Sequence, residues 1–522
     1  MKKAIIIHPF LFAIFPILFL LAYNIRESSF LEIFIPSAIV LGFTLLLLLF
    51  GWLILRKNIR KSAILVSIFL ILFFSYGRIY EKIREFQIGS FVIGRHRYLW
   101  ILWGIIFVLC IYFVIKTKKD LYNFTNILNV IAIALIVISL VNIGVYKIRT
   151  KNIWEGGSGE DINVNSEEKE DDSSLEAELL PDIYYIILDG YARSDVLNEI
   201  FDYDNSEFNE LLTERGFFIA YESHCNYAQT FLSLPSSLNM EYVNNLTDIV
   251  GVESEDMSLP IQMIQNNKVM NFLKSKGYKF ITSSSGVGAT DHNKYADLEL
   301  RYGGLNEFLT LLIRTSMLNY FEEYLIKNPG RERVLDSFDQ LAKVPEIKGL
   351  KFVFAHIISP HPPYLFDREG DPVPEGDEDI GIFRWKRKED YVNQLVFINK
   401  KVIVLIDEIL SKSDRPPIII IQADHGSAAT FDYKEPGGVW DHPTEEMVRE
   451  RMSILNVYYL PEGGKSLLYD YITPVNTFRL IFSYYFNADY KLLDDWVYYS
   501  SYLTPYKFID VTDIVMDNDE EN

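Results

Sequence analysis

Two carboxylates and an imidazole stand where buried strands should end. Asp424, His425 and Gly426 follow directly on the run 418–423, in which four consecutive isoleucines leave no polar face. Asp189 and Gly190 follow in the same way on the apolar run 183–188, 235 residues earlier. Runs of this kind read as strands buried on both sides, and open α/β sheets carry their chemistry just beyond the carboxyl ends of such strands. Two distant segments can therefore deliver hard and borderline ligands to one sheet edge, a set suited to a divalent metal ion. Between them lies the stretch 224–239, in which Thr230 or Ser233 can head a helix. A hydroxyl there is either an ordinary N-cap or, beside a divalent ion and unpaired backbone N–H groups, a nucleophile of lowered pKa.

The elements that must hold these residues follow from periodicity. Strands are predicted over 183–188, 278–282, 351–358, 417–423 and 454–460, and helices around 205–215, 265–276, 304–326, 331–343, 390–412 and 474–486. Such alternation predicts a mostly parallel central sheet with helices on both faces. The sequence shows no internal repeat, no glycine-rich phosphate loop and no zinc-finger spacing.

Ahead of this α/β part the chain is of another kind. It has 522 residues, 49% of them hydrophobic, and the apolar excess lies at the front. Uncharged stretches over 4–24, 33–55, 62–77, 98–115 and 121–146 predict five transmembrane helices, most of them near the roughly 20 residues a bilayer requires. The third is the shortest and spans only if Lys61 and Arg78 snorkel to the headgroups. The first reads as a retained anchor, because its apolar core exceeds a signal-peptide h-region and no small-x-small site closes it. Charge divides with the apolarity. Of the net −20, residues 1–150 hold +12 (17 basic against 5 acidic), which leaves −32 for residues 151–522. So acidic a domain is no nucleic-acid binder.

Lys2, Lys3, Arg56, Lys57, Arg60, Lys61, Lys116, Lys118 and Lys119 fall in short segments on one side of a five-span arrangement. The opposite side holds Arg26, Arg78, Lys82, Arg84, Arg95, Arg97, Lys147 and Arg149, so the counts nearly balance; the denser packing in the short segments favours the N-terminus inside and, after an odd number of spans, the acidic domain outside. The basic loop from Arg78 to Arg97 is either a solvated connector or a strip lying along anionic headgroups. Residues 150–180 are rich in Gly, Ser, Glu and Asp and read as a flexible linker. The expected organisation is thus a transmembrane region over 1–149, an acidic linker over 150–180 and an extracytoplasmic α/β domain over 181–522. Only Cys110 and Cys225 occur, which excludes a disulfide framework.

Four motifs taken together carry a resemblance. Asp189-Gly190, the T-x-x-S-x-P run from Thr230 to Pro235, His361 within Ser359-Pro360-His361-Pro362-Pro363-Tyr364, and Asp424-His425-Gly426 resemble the alkaline phosphatase superfamily. Within it the chain is similar to the membrane-anchored sulfatase-like branch of lipoteichoic acid synthases, phosphoglycerol transferases and phosphoethanolamine transferases. That resemblance implies an alkaline phosphatase/sulfatase-like catalytic domain. It implies that Asp189, Thr230, Asp424 and His425 ligate one divalent metal, that Thr230 is the nucleophile that becomes phosphorylated, and that His361 contacts the transferred group. Manganese, magnesium and zinc all suit these donors.

The remaining histidines are read from their surroundings. His356, inside the predicted strand 351–358, is weighted as a core residue. His442 is a candidate for a leaving-group or phosphate contact, with a cap before the helix at Glu445 as the alternative. His224 and His292 show no partner pattern. The hydrophilic stretch 367–389 reads as a surface loop able to cover the site. Cys225 is followed by Asn226-Tyr227-Ala228-Gln229, without the proline and arginine that formylglycine formation needs, so sulfatase chemistry is disfavoured. No aspartate ahead of His361 supplies the D-x-x-x-H spacing of two-metal relatives, so one metal is expected.

The activity these features imply is transfer of a phospho-headgroup from a phospholipid donor to an extracytoplasmic glycan or lipid acceptor, through a phospho-threonine, by an integral protein of the cell (inner) membrane. The alternatives are a phosphoester or sulfate-ester hydrolase on the same fold and a non-catalytic membrane scaffold.

Overall fold

The computed structural model describes residues 5–25, 33–83, 87–88, 91–92, 95–157, 180–302, 307–321, 329–373, 385–431 and 442–516. Most of the linker expected at 150–180, a minor part of the basic loop 78–97 and the middle of the loop 367–389 lie outside them. The chain divides into two compact units, one made of Met1–Asn152 with Gly304–Pro329 and the other of Ile153–Gly303 with Gly330–Asn522.

The leading part of the first unit is built on the helices α1 (His8–Tyr23), α2 (Phe34–Ile54), α3 (Ile59–Ile83), α4 (His96–Lys116) and α5 (Tyr122–Gly157), the last of which runs past the unit's limit at Asn152. Four of them, α2 to α5, are long and apolar enough to cross a membrane. The first is not, since its 16 residues reach only about 24 Å at 1.5 Å per residue, short of the roughly 30 Å hydrocarbon core. Pro9 stands in its first turn, where a missing N–H costs nothing, and a second proline, Pro16, lies inside the helix. The span expected to be shortest is instead a helix of 25 residues. It is the central element, packed against α1, α2 and α4, which explains why its Ser62, Ser67 and Tyr76 are buried. Nothing in the residues after Val145 stops α5 until Gly156-Gly157, so the helix runs past the boundary expected at 149. A further helix, Glu307–Arg314, belongs to this unit; its Phe308 and Leu312 join Ala13, Ile17, Leu21 and Leu70 in one buried cluster.

The second unit is built on a seven-stranded sheet. Its strands are β1 (Ile183–Leu188), β2 (Phe218–Ile219), β3 (Lys279–Ser283), β4 (Leu298–Leu300), β5 (Lys351–Ile357), β6 (Ile418–Gln422) and β7 (Asn456–Tyr459), in the order β2-β7-β6-β1-β5-β3-β4. The pairs from β6 through β1, β5 and β3 to β4 are parallel, whereas β7 is antiparallel to both β6 and β2. The expected sheet is therefore present with an antiparallel margin, and the two short strands β2 and β4 escaped the periodicity because two or three residues are too few to show a repeated alternation.

Helices cover both faces, which is why the central strands read as continuous apolar runs. Tyr184, Ile186 and Leu188 enter the core on one side, and Ile183, Tyr185 and Ile187 the core on the other. Register then fixes the chemistry. In the β1–β5 pair Ile187 lies opposite His356 and Leu188 opposite Ile357, and in the β1–β6 pair Ile187 lies opposite Gln422. The carboxyl ends of three adjacent strands are thus level, and the loops that leave them meet at one edge.

Candidate metal centre

Asp189, one residue beyond β1, is the hub. Its Oδ1 lies 3.4 Å from His425 Nε2, and its Oδ2 lies 3.3 Å from His356 Nε2. His425 Nε2 is also 3.5 Å from Asp424 Oδ2. Two overlapping triads, Asp189 with His361 and His425, and Asp189 with His356 and Asp424, each bring their ligand atoms within 4.8 Å of one another. Asp189, Asp424, His425 and His356 are all 5% exposed or less, while His361 is half-buried.

Whether these residues fit a metal is decided by distance and by pairing. Separations of 3.3–3.5 Å are long for charge-assisted hydrogen bonds, which run about 2.7–2.9 Å. Ligands held about 2.0–2.2 Å from a common tetrahedral ion lie about 3.3–3.6 Å apart, which is the spacing found. Consistently, Asp189 Oδ1, Asp424 Oδ2 and His356 Nε2 are buried without a hydrogen-bond partner among the described residues. An uncompensated buried carboxylate costs several kcal/mol, against a total stability of about 5–15 kcal/mol for a domain. Two of them side by side call for a counter-charge, and the donor set of carboxylate oxygens and imidazole nitrogens fits one divalent ion.

The imidazoles are held with the correct nitrogen inward. His425 Nδ1 donates to the carbonyl of Gly426 (2.9 Å) and His361 Nδ1 to that of Pro362 (2.6 Å), which leaves Nε2 of each as the free lone pair. His356 Nδ1 is paired with Thr290 Oγ1 at 2.8 Å. Burial, aided by Arg451, lowers His425 to about 4, so its ring is neutral at pH 7 as a ligand must be. Burial would raise the Asp189 carboxyl, but His361, His356 and His425 outweigh it and hold the group well below the usual carboxylate range. For His356 burial works downward, and Asp189 and Asp424 together reverse it, so its affinity for a proton is raised.

The loops that carry these groups are braced from beneath. Gly190 adopts φ +70°, and a β-carbon there would come within 2.8 Å of the Trp385 ring; only glycine meets both conditions. Its N–H donates to Asp424 Oδ1 at 3.3 Å, and the N–H of His361 donates to the Asp189 carbonyl at 2.9 Å. The fully buried Glu450 accepts from Ser427 Oγ and from the N–H groups of Ala429 and Thr430. Gly426 is the tightest point, since a β-carbon there would lie 2.2 Å from the Glu450 carbonyl. Gly426→Ala is expected to cost about 1–3 kcal/mol through overpacking and to weaken metal binding along with it. Urea denaturation and metal titration of the purified variant check both effects.

Thr230 is the first residue of the helix Thr230–Asn239, whose N-cap is Gln229. The hydroxyl is therefore not the cap, and no hydrogen bond engages it among the described residues. Arg451 places this helix start. Its buried guanidinium donates from Nε to the Ala228 carbonyl (2.8 Å) and from Nη1 to the Gly426 carbonyl (3.0 Å), joining the loop before Thr230 to the loop after His425. Ser233, the other hydroxyl considered, is buried in the same helix.

Other positions stand apart from this cluster. His442 is exposed, two residues ahead of the N-cap Thr444 of the helix Glu445–Met452, and no contact joins it to the cluster among the described residues. His224 faces Arg193 (3.1 Å), and His292 is paired with Glu299 (2.5 Å). Cys225 is fully buried, and burial pushes its thiol far up, so it is inert. Sequence reasoning weighted His356 as a core residue and passed over Arg451. The pairing of Ile187 with His356 was the only signal for the first, and it needs the register.

No protein-family model and no curated protein matches the sequence. Among solved structures, the chain is similar to the zinc complex of the C-terminal periplasmic domain of EptC from Escherichia coli, at 12% identity over 63% of this chain and 92% of that one, with a TM-score of 0.42. It is similar to the C-terminal periplasmic domain of phosphoethanolamine transferase EptC from Campylobacter jejuni, at 13% identity over 62% of this chain and 94% of that one (TM-score 0.38). Over 92% of this chain and 95% of that one it is similar, at 12% identity, to the integral membrane lipooligosaccharide phosphoethanolamine transferase A from Neisseria meningitidis (TM-score 0.33).

Proposed function

We propose that the chain is a metal-dependent phosphotransferase of the cell membrane, with its α/β domain on the extracytoplasmic side. It moves a phospho-headgroup of the phosphoglycerol or phosphoethanolamine type from a lipid donor to a glycan or lipid acceptor. The observation that carries this reading is the set of buried, unpartnered donor atoms on Asp189, Asp424 and His356, gathered around Asp189 at the level ends of three strands.

In this reading the Thr230 oxygen attacks the donor phosphorus. The P–O bond to the diacylglycerol oxygen breaks, that oxygen takes up the proton given up by the Thr230 hydroxyl, and the headgroup phosphate stays on Thr230. An acceptor hydroxyl then attacks the phospho-threonine, gives up its proton and releases the Thr230 oxygen. Asp189, Asp424 and His425 would hold a divalent ion, whose positive charge would lower the hydroxyl's pKa and offset charge on the phosphoryl oxygens. His361, half-buried with Nδ1 tied to Pro362, has its Nε2 available to carry the proton between steps. The first-turn N–H groups of the helix favour the added negative charge.

Mass spectrometry of the full-length protein after incubation with total membrane lipid tests the assignment. A headgroup-phosphate adduct on the peptide containing Thr230 is expected, and its mass names the group. An adduct on Ser233, or none with manganese, magnesium or zinc supplied, overturns it. The partition of label between free headgroup and a glycan or lipid product then separates transfer from hydrolysis.

A further inference from the structure

We infer that the first unit carries a binding site for an anionic phospholipid at the end of the bundle where α1 and α3 begin. A cavity of about 360 Å³ opens there, lined by Phe10 of α1, Leu45, Leu48, Leu49 and Trp52 of α2, and Ile59 of α3. Its volume falls within the range of small-molecule sites, about 300–1,000 Å³, and every side chain on its wall is apolar or aromatic. Leu45 and Leu49 are half exposed, so the cavity communicates with the outer surface of the bundle. A wall of this chemistry on a membrane-crossing helix takes an acyl chain.

The turn beside the cavity supplies the other half of the ligand. Arg56 and Lys57 join α2 to α3, and both adopt left-handed backbone, at φ 51° and 68°. Residues with a β-carbon rarely occupy that region, and such strain collects at ligand clamps. The conformation leaves both cations exposed, with Lys57 Nζ 5.8 Å from the centre of the Trp52 ring that lines the cavity. Their neighbours are already committed. Arg60 is paired with Asp120 at 2.7 Å, and Lys61 donates to the carbonyls of Ile115 and Thr117. Among the described residues Arg56 and Lys57 have no carboxylate partner. Two cations without a carboxylate partner among the described residues, on the turn that follows Trp52 of the cavity wall, complement a phosphate joined to an acyl chain, and basic recesses between membrane helices bind anionic headgroups on this principle.

The test uses the full-length protein in nonionic detergent, titrated with dioleoyl phosphatidylglycerol or dioleoyl phosphatidylcholine and read by native mass spectrometry. The anionic lipid is expected to bind at least tenfold more tightly. Replacing both cations (Arg56→Ser with Lys57→Ser) should weaken phosphatidylglycerol roughly thirtyfold, from about one tenfold step per 1.4 kcal/mol and the usual contribution of each surface cation. Leu49→Trp fills the cavity without touching charge and should reduce retention of both lipids, so the proposal stays testable if the double variant fails to fold. Equal binding of the two lipids, or undiminished phosphatidylglycerol binding by either variant, overturns it. So does a wild-type dimer that Leu49→Trp converts to monomer, since the cavity would then be a subunit contact.

Discussion

Thr230→Ala is expected to abolish turnover while the protein keeps its fold and its metal. The loss should reach at least about three orders of magnitude, on the order of 4 kcal/mol of transition-state stabilisation, because in the proposed scheme the variant lacks the atom that forms the covalent intermediate. The fold should survive because Thr230 contributes neither the cap, which is Gln229, nor a hydrogen bond among the described residues, and its neighbour Ala228 is anchored through the backbone to Arg451. Thr230→Ser keeps the hydroxyl and should retain measurable activity. Purified variants assayed on labelled phospholipid, with circular dichroism and elemental analysis alongside, decide the matter. Full activity in Thr230→Ala would remove the nucleophile from the scheme.

The second large effect belongs to Asp189→Asn. The carboxylate faces three imidazoles and Asp424, so the amide removes the charge that the cluster shares. Metal content should fall from one ion per chain to well below that. A ligand present at about a thousand times its Kd stabilises the folded state by about 4 kcal/mol, so a chelator should lower the melting temperature of the wild type sharply and leave that of Asp189→Asn almost unmoved. An equal chelator response in both proteins would mean that the ion binds elsewhere.

The residues that were legible in the sequence were those whose type contradicts their surroundings. Asp189 and Asp424-His425 stand out because strands buried on both faces do not run into carboxylates without reason, and the structure brings them together. His356 was weighted as a core residue because a histidine inside an apolar run looks alike whether it packs or ligates. Arg451 sits in the run Arg449-Glu450-Arg451, which reads as a solvated helix face, yet Glu450 and Arg451 are both buried to satisfy loop N–H groups and carbonyls contributed by chain far away. Such demands are tertiary and leave no local trace. The helix at 304–326 was found from its apolar spacing, realised as Glu307–Arg314 and a short turn Met317–Phe321. Its membership of the first unit was not legible, since an amphipathic stripe fits a sheet and a bundle equally.

That detour of the chain bears on how the α/β part can be handled. A fragment starting after residue 152 would bring Phe308 and Leu312 into water without the partners that bury them in the intact chain. Large side chains exposed in this way each forfeit about 1.5–3 kcal/mol, and grouped on one short helix they invite self-association. Solubilising the α/β half therefore requires two edits, removal of the leading helices and replacement of 304–329 by a polar tether.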